Sequence, residues 1–203
     1  MKTIKDDTLF KVNLGLLVIA LLVVIFNSYQ LAQIGQIERS VTTNAVAGTT
    51  SSVIPTGVPS IYGSELGISF DDVSASDPNK ADATINKLGN LDTSITLSDS
   101  DKERYINVLY KMENGISCEY CCGARAIIFE NGDPACGCAH SYAMRGVAKY
   151  LILNHGDEFS DNEILEEIGK WKTLFFPGIM QSKADVLEQQ GIEFNYVNLA
   201  SNK

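Results

Sequence analysis

Histidine is nearly absent from this chain, with two in 203 residues, and cysteine is absent everywhere except between Cys118 and Cys138. With so few histidines, and no Ser/His/Asp set, nucleophile elbow or paired-carboxylate arrangement, hydrolytic catalysis has little to stand on. Positive charge is also scarce: 16 Lys and Arg face 25 Asp and Glu, giving a net charge of -9. No Lys/Arg cluster occurs. This balance excludes nucleic acid as a partner, because such binding is dominated by cationic contacts to phosphate. It also argues against docking on anionic lipid. There is no Walker-type loop or dinucleotide fingerprint, so nucleotide chemistry has no sequence support. Internal repeats and Asn-x-Ser/Thr acceptors are missing too.

One long apolar run is present. Residues 12–31, "VNLGLLVIALLVVIFNSYQL", carry no charge and match the roughly 20 residues needed to span a bilayer core. Lys2, Lys5 and Lys11 precede the run, which predicts a cytoplasmic N-terminus and a single pass through the cell membrane, with everything after Tyr29 outside. A cleaved signal peptide is the alternative. The small-residue signature Ala45-Val46-Ala47 lies far beyond the apolar core, and that core is long for a signal, so an uncleaved anchor is the reading adopted. Leu31, Ile34, Ile37 and Val41 then recur at helical spacing, as a stalk or an interfacial extension.

The expected organisation is a cytoplasmic N-terminus (1–11), a transmembrane helix (12–31), a stalk and flexible linker (32–60) and an extracytoplasmic domain (61–203). The linker rests on "TTNAVAGTTSSVIPTGVPS", whose Ser, Thr, Gly and Pro bury little apolar surface. In the domain, "ELGISF", "TSITL" and "IEFNYVNL" read as strands. Asp77-Pro78 opens a helix stopped at Gly89, and Ser98 with Asp101 caps another. A third helix runs from about Ser141 to Asn154, and Ser160 with Glu163 caps a fourth carrying Ile164, Leu165, Ile168, Trp171 and Leu174. A last helix lies near 182–190. The predicted class is a small, mainly helical α+β domain with a Cys-rich hairpin or knuckle.

The chemistry concentrates in "ISCEYCCGARAIIFENGDPACGCAH", residues 116–140. Cys118-x2-Cys121-Cys122 is followed, after Asn131-Gly132, by Cys136-Gly137-Cys138-Ala139-His140. The Asn-Gly pair is a strong tight-turn signal and folds the second cysteine group back on the first. Two convergent pairs of soft ligands make a tetrahedral site, the usual arrangement for zinc. The candidate ligands are Cys118, Cys121, Cys122, Cys136, Cys138 and His140, with Cys118, Cys121, Cys136 and Cys138 the leading set. The surplus thiols also suit copper or an iron–sulfur cluster. Two other readings stay open. Cysteines outside the cytoplasm commonly form disulfides, so two bridges and one thiol would staple the domain into a binding module. Alternatively, Cys118/Cys121 act as a thiol–disulfide oxidoreductase with Cys136 or Cys138 resolving.

Around the window, Arg125 and Arg145 are placed to favour thiolate or to form surface ion pairs. Glu119 is a weak oxygen ligand or a solvated side chain. His155 falls at a helix end where a cation suits the dipole and reads as structural. "WKTLFFPG" reads as core.

"ISCEYCCGA", "ACGCAHSYAMRG", "KWKTLFFPG" and "GVPSIYGSELG" resemble a group of membrane-anchored archaeal Cys-rich proteins with no assigned activity. A looser similarity, carried by Gly156, Ser160, Glu163 and Ile164 after the cysteine cluster and its helix, extends to PCYCGC-motif proteins and to the membrane-anchored thiol reductases of cytochrome c maturation. The cysteine spacing differs from both, and the Leu-Arg-Cys-x2-Cys lead-in of the reductases is absent, so the similarity carries no catalytic role across. The sequence as a whole implies a membrane-anchored, extracytoplasmic metal-binding protein with a structural or metal-handling role.

Overall fold

The computed structural model describes residues 17, 53–119 and 123–201. The apolar run at 12–31 (Leu17 apart), the stalk and most of the linker lie outside the described residues, as do Cys121 and Cys122. The single-pass membrane placement is corrected: no helix among the described residues is long and apolar enough to cross a membrane. One compact unit spans Ser52–Lys203. It reaches back into the Ser/Thr/Gly/Pro-rich stretch, where Val53 is buried with the core.

The α+β expectation is also corrected. The domain is helical, and pairing among the described residues is limited to two isolated bridges, Ile116 with Ser201 and Ile128 with Pro134. Each of the three expected strands resolves into something else. "ELGISF" becomes helix α1 (Gly63–Leu66), closed by Gly67 at φ 58°, and a 3-10 turn, Phe70–Asp72, held by a capping box on Ser69. "TSITL" begins as the last residues of α2 (Pro78–Ser94). "IEFNYVNL" becomes a loop and α7 (Tyr196–Ala200), because the Asn195 side chain accepts from the Asn198 amide and caps a helix there.

The remaining helices follow their caps. Helix α2 starts where the Asp77 carboxylate accepts from the Lys80 amide and Pro78 takes the first turn. It does not stop at Gly89. That glycine faces the Tyr142 Cβ, and a Cβ placed there would come to 3.3 Å of it, so its smallness serves helix packing. Helix α3 (Asp99–Ile106) is capped by Ser98 and passes into a π turn, Asn107–Lys111, and a 3-10 turn, Met112–Asn114. Helices α4 (Ala139–His155), α5 (Asp161–Phe175) and α6 (Pro177–Gln189) complete the set.

Helix α4 is the centre of the domain. Its stripe of Met144, Val147, Ala148, Leu151 and Ile152, at helical spacing, is buried throughout. A wholly buried side chain such as Leu151 contributes about 1.5–3 kcal/mol from apolar transfer. Helix α2 packs along α4 closely enough that Gly146 meets the backbone of Leu88. Helix α5 supplies Trp171, whose Nε1 donates to the Tyr62 hydroxyl at 2.7 Å, and that hydroxyl donates to Glu167 at 2.8 Å. This chain of bonds fixes the first turns of the domain to α5.

His155 closes α4 as a clasp. Its Nδ1 lies 2.8 Å from Glu158 and its Nε2 2.9 Å from Glu65 on α1. The Glu158 hydrogen bond, aided by Glu65 and opposed by burial, holds the imidazole pKa above its usual value. A raised histidine stabilises the fold fully below the unfolded pKa of about 6.5 and loses that contribution as pH rises through the folded value. His140 acts in the opposite sense, because burial lowers its pKa. The informative quantity is therefore the Tm difference between the wild type and His155→Gln. That difference is expected to be largest near pH 6 and to shrink by pH 9. A constant difference across that range would rule out the clasp as a titrating contact.

Candidate metal centre

Three separate backbone devices bring cysteines together. The first is the end of the α3 extension. Glu113 and Asn114 adopt positive φ, and Gly115 has φ 86°, so the chain reverses there. A Cβ at Gly115 would also come to 3.0 Å of the Ala126 Cβ. Ile116 then runs extended: its amide donates to Leu109 O at 3.1 Å and its carbonyl accepts from the Ile127 amide at 2.8 Å. Cys118 leaves from this anchored segment.

The second device is the expected tight turn. Phe129 donates to Asp133 O at 2.8 Å and Gly132 donates to Phe129 O at 2.9 Å. The Asn131 side chain accepts from the Asp133 amide at 3.0 Å, and Gly132 takes the left-handed backbone (φ 85°) that the turn requires. The return arm closes with Ala135 donating to Ile127 O at 3.1 Å, which delivers Cys136 beside the Cys118 segment. The third device is the start of α4. Cys138 is the N-cap residue, and its sulfur accepts from the Ser141 amide at 3.4 Å, with the Ser141 hydroxyl at 3.2 Å.

The result is a cluster of three sulfurs, from Cys118, Cys136 and Cys138, all within 4.8 Å of one another. Cys118 and Cys138 sulfurs are 3.2 Å apart, and those of Cys136 and Cys138 are 3.7 Å apart. Cys118 and Cys136 are buried, whereas Cys138 is partly exposed. Thiolates on a tetrahedral zinc, at about 2.3 Å each, stand roughly 3.8 Å from one another. The cluster is therefore of a size to hold a metal ion.

Of the six sequence-predicted ligands, these three are brought together. Cys121 and Cys122 lie outside the described residues. His140 is not in the three-sulfur group. Its half-buried ring packs between Phe175 and Phe176, with centroids at 5.1 and 5.0 Å.

Buried charge holds the site in place. Arg145, fully buried on α4, donates from Nη1 to Cys136 O at 2.8 Å and to Ile127 O at 3.3 Å. Its Nε pairs with Asp92 of α2 at 2.7 Å. One guanidinium thus ties both arms of the turn to the two central helices. Arg125 serves the preceding bend, stacking over Tyr110 and donating to Asn114 O at 2.9 Å.

Sequence reading missed Lys172. It is wholly buried on α5, pairs with Glu119 at 2.6 Å, and donates to Ala200 O at 3.0 Å. Burial lowers its pKa, partly offset by Glu119 and by the nearby Cys118. Glu119 is consequently an ion-pair partner of Lys172, bound next to the cysteine in sequence. The signal was present: Lys172 lies four residues after Ile168 and seven after Leu165, on the face that α5 buries. Lys183 donates to Ser201 O nearby. The chain around Cys118 is thereby tied to the C-terminal residues, with the Ile116–Ser201 bridge alongside.

No family model, curated protein or solved structure matches this chain.

Proposed function

We propose that this chain binds a thiophilic metal ion, zinc in the first instance, through the thiolates of Cys118, Cys136 and Cys138. The observation that carries the reading is the convergence of three sulfurs from three independent backbone devices within 4.8 Å. Soft thiolates select zinc, copper(I) or iron–sulfur units over hard cations. Cys121 stands in C-x2-C spacing from Cys118, which makes it the first candidate for a fourth ligand. The start of α4 faces the site, and a helix N-terminus complements the net negative charge of a metal–thiolate unit. The role is structural or metal-handling, because the ligands join α4, the turn and the α3 extension, and one of them is open to solvent.

Elemental analysis of the full-length chain, purified without chelator or nickel resin, tests this. The expected result is about one zinc per chain, with the clustered thiols reactive only after denaturation and chelation. Cys118→Ser and Cys136→Ser are each expected to lose the metal. About one copper in place of zinc would keep the thiolate site and change the ion. Unaltered metal content and fold in both variants would defeat the proposal, as would the absence of any bound metal.

A further inference from the structure

We infer that the metal site is redox-gated: a disulfide formed between Cys118 and Cys138 by exchange with a low-molecular-weight disulfide releases the ion. The inference rests on the metal-binding reading of these sulfurs.

Geometry selects the pair. The Cys118 and Cys138 sulfurs are 3.2 Å apart, against 3.7 Å for Cys136 and Cys138. A disulfide bond of about 2.05 Å needs them to close by roughly 1 Å. Access selects the order. Cys138 is the partly exposed member, and Cys118 and Cys136 are each 5% exposed. Of the three, an incoming disulfide therefore meets Cys138 first. Cys138 also stands at the start of α4 while Cys118 sits on the anchored loop, so the bond joins two elements already in contact. Once it forms, Cys136 is the one thiolate of the three left to hold the ion.

The chemistry balances. The Cys138 thiolate attacks one sulfur of glutathione disulfide, forms a mixed disulfide and expels one glutathione thiolate. The Cys118 thiolate then attacks Cys138 Sγ, forms the intramolecular bond and expels the second glutathione thiolate. Two cysteine thiolates lose two electrons in all, glutathione disulfide gains two, and the ion leaves with its charge unchanged. Excess dithiol reverses both exchanges and restores the ligands.

The test uses the full-length chain, loaded with zinc and assayed for zinc content before any oxidant is added. Glutathione disulfide is then added in excess. Zinc release is followed with a chromogenic chelator, and disulfides are mapped by peptide mass. The expected result is about one zinc released for each Cys118–Cys138 disulfide formed, with uptake restored by dithiol. Cys138→Ser keeps a side-chain oxygen that caps α4 well and should release zinc roughly tenfold more slowly or not at all. If that variant no longer loads zinc, the wild-type disulfide map decides. Zinc retained under oxidant, or release accompanied by disulfides among other cysteines, overturns the gating and leaves metal binding intact. Failure to load zinc at the outset overturns the metal reading, and the gating falls with it.

Discussion

Gly146→Ala is expected to destabilise the domain by about 2 kcal/mol, against the intrinsic preference of a helix for alanine. A Cβ at this position would lie 2.0 Å from Leu88 O and 3.0 Å from the Asp92 amide nitrogen. Both are backbone atoms of α2, so no side chain can swing away, and relief requires α2 and α4 to separate. The gain from replacing glycine inside a helix is about 1 kcal/mol. Overpacking costs about 1–3 kcal/mol and sometimes more, and a clash with backbone belongs at the upper end. The clash therefore wins. Separation of α2 from α4 also pulls Asp92 from Arg145, so metal retention should weaken along with stability. Urea denaturation measures the first effect and metal content the second. A midpoint equal to or above the wild type would show that the two helices are not packed at this distance.

Arg145→Met is expected to cost about 3 kcal/mol and to weaken metal binding. Asp92 is almost fully buried, and Arg145 is completely so. Truncating one partner of a buried pair costs about 3–5 kcal/mol, chiefly because the other charge is stranded. Here Lys149 remains on Asp92 Oδ1 at 2.8 Å, which moderates the loss toward the lower figure. The effect on the metal has a separate origin: Cys136 O and Ile127 O lose their shared donor, and the cysteine-bearing turn loses its tie to α4. The double variant Arg145→Met with Asp92→Asn separates the two effects. It removes the stranded charge and should recover much of the stability, but not the metal affinity. A single variant that costs under about 1 kcal/mol would mean that the pair is not buried as described.

Helices with explicit caps were legible in the sequence. Asp77-Pro78, Ser98 and Ser160 each begin a helix where their side chains suggested. The stripe read on α5, from Ile164 to Leu174, is buried as its spacing implied. The strands were not legible, because alternation over a few residues fits a capped helix start as well as it fits a strand. In "IEFNYVNL" the deciding residue is Asn195, whose side-chain bond to Asn198 starts α7. Gly89 shows a second limit. It reads as a stop until the neighbouring helix is known, and it sits, like Gly146, where α2 and α4 meet.

The site was legible in part. Clustered cysteines and an Asn-Gly turn were enough to predict that Cys118, Cys136 and Cys138 converge. Of the charged residues that hold the cluster, Lys172 alone left a signal, its place on the buried face of α5. Asp92 and Arg145 are buried because their partners come from distant parts of the chain, and a sequence window shows each of them as an ordinary surface charge. His140 was drawn to the site by its proximity to Cys138, and its ring packs on Phe175 and Phe176 at the end of α5.

X-ray absorption at the zinc edge of the full-length chain tests the central claim most directly. The account predicts a first shell dominated by sulfur at about 2.3 Å, in which Cys118, Cys136 and Cys138 account for three scatterers and the signal disappears in Cys136→Ser. A first shell of oxygen and nitrogen alone, or a zinc signal unchanged in that variant, would contradict it.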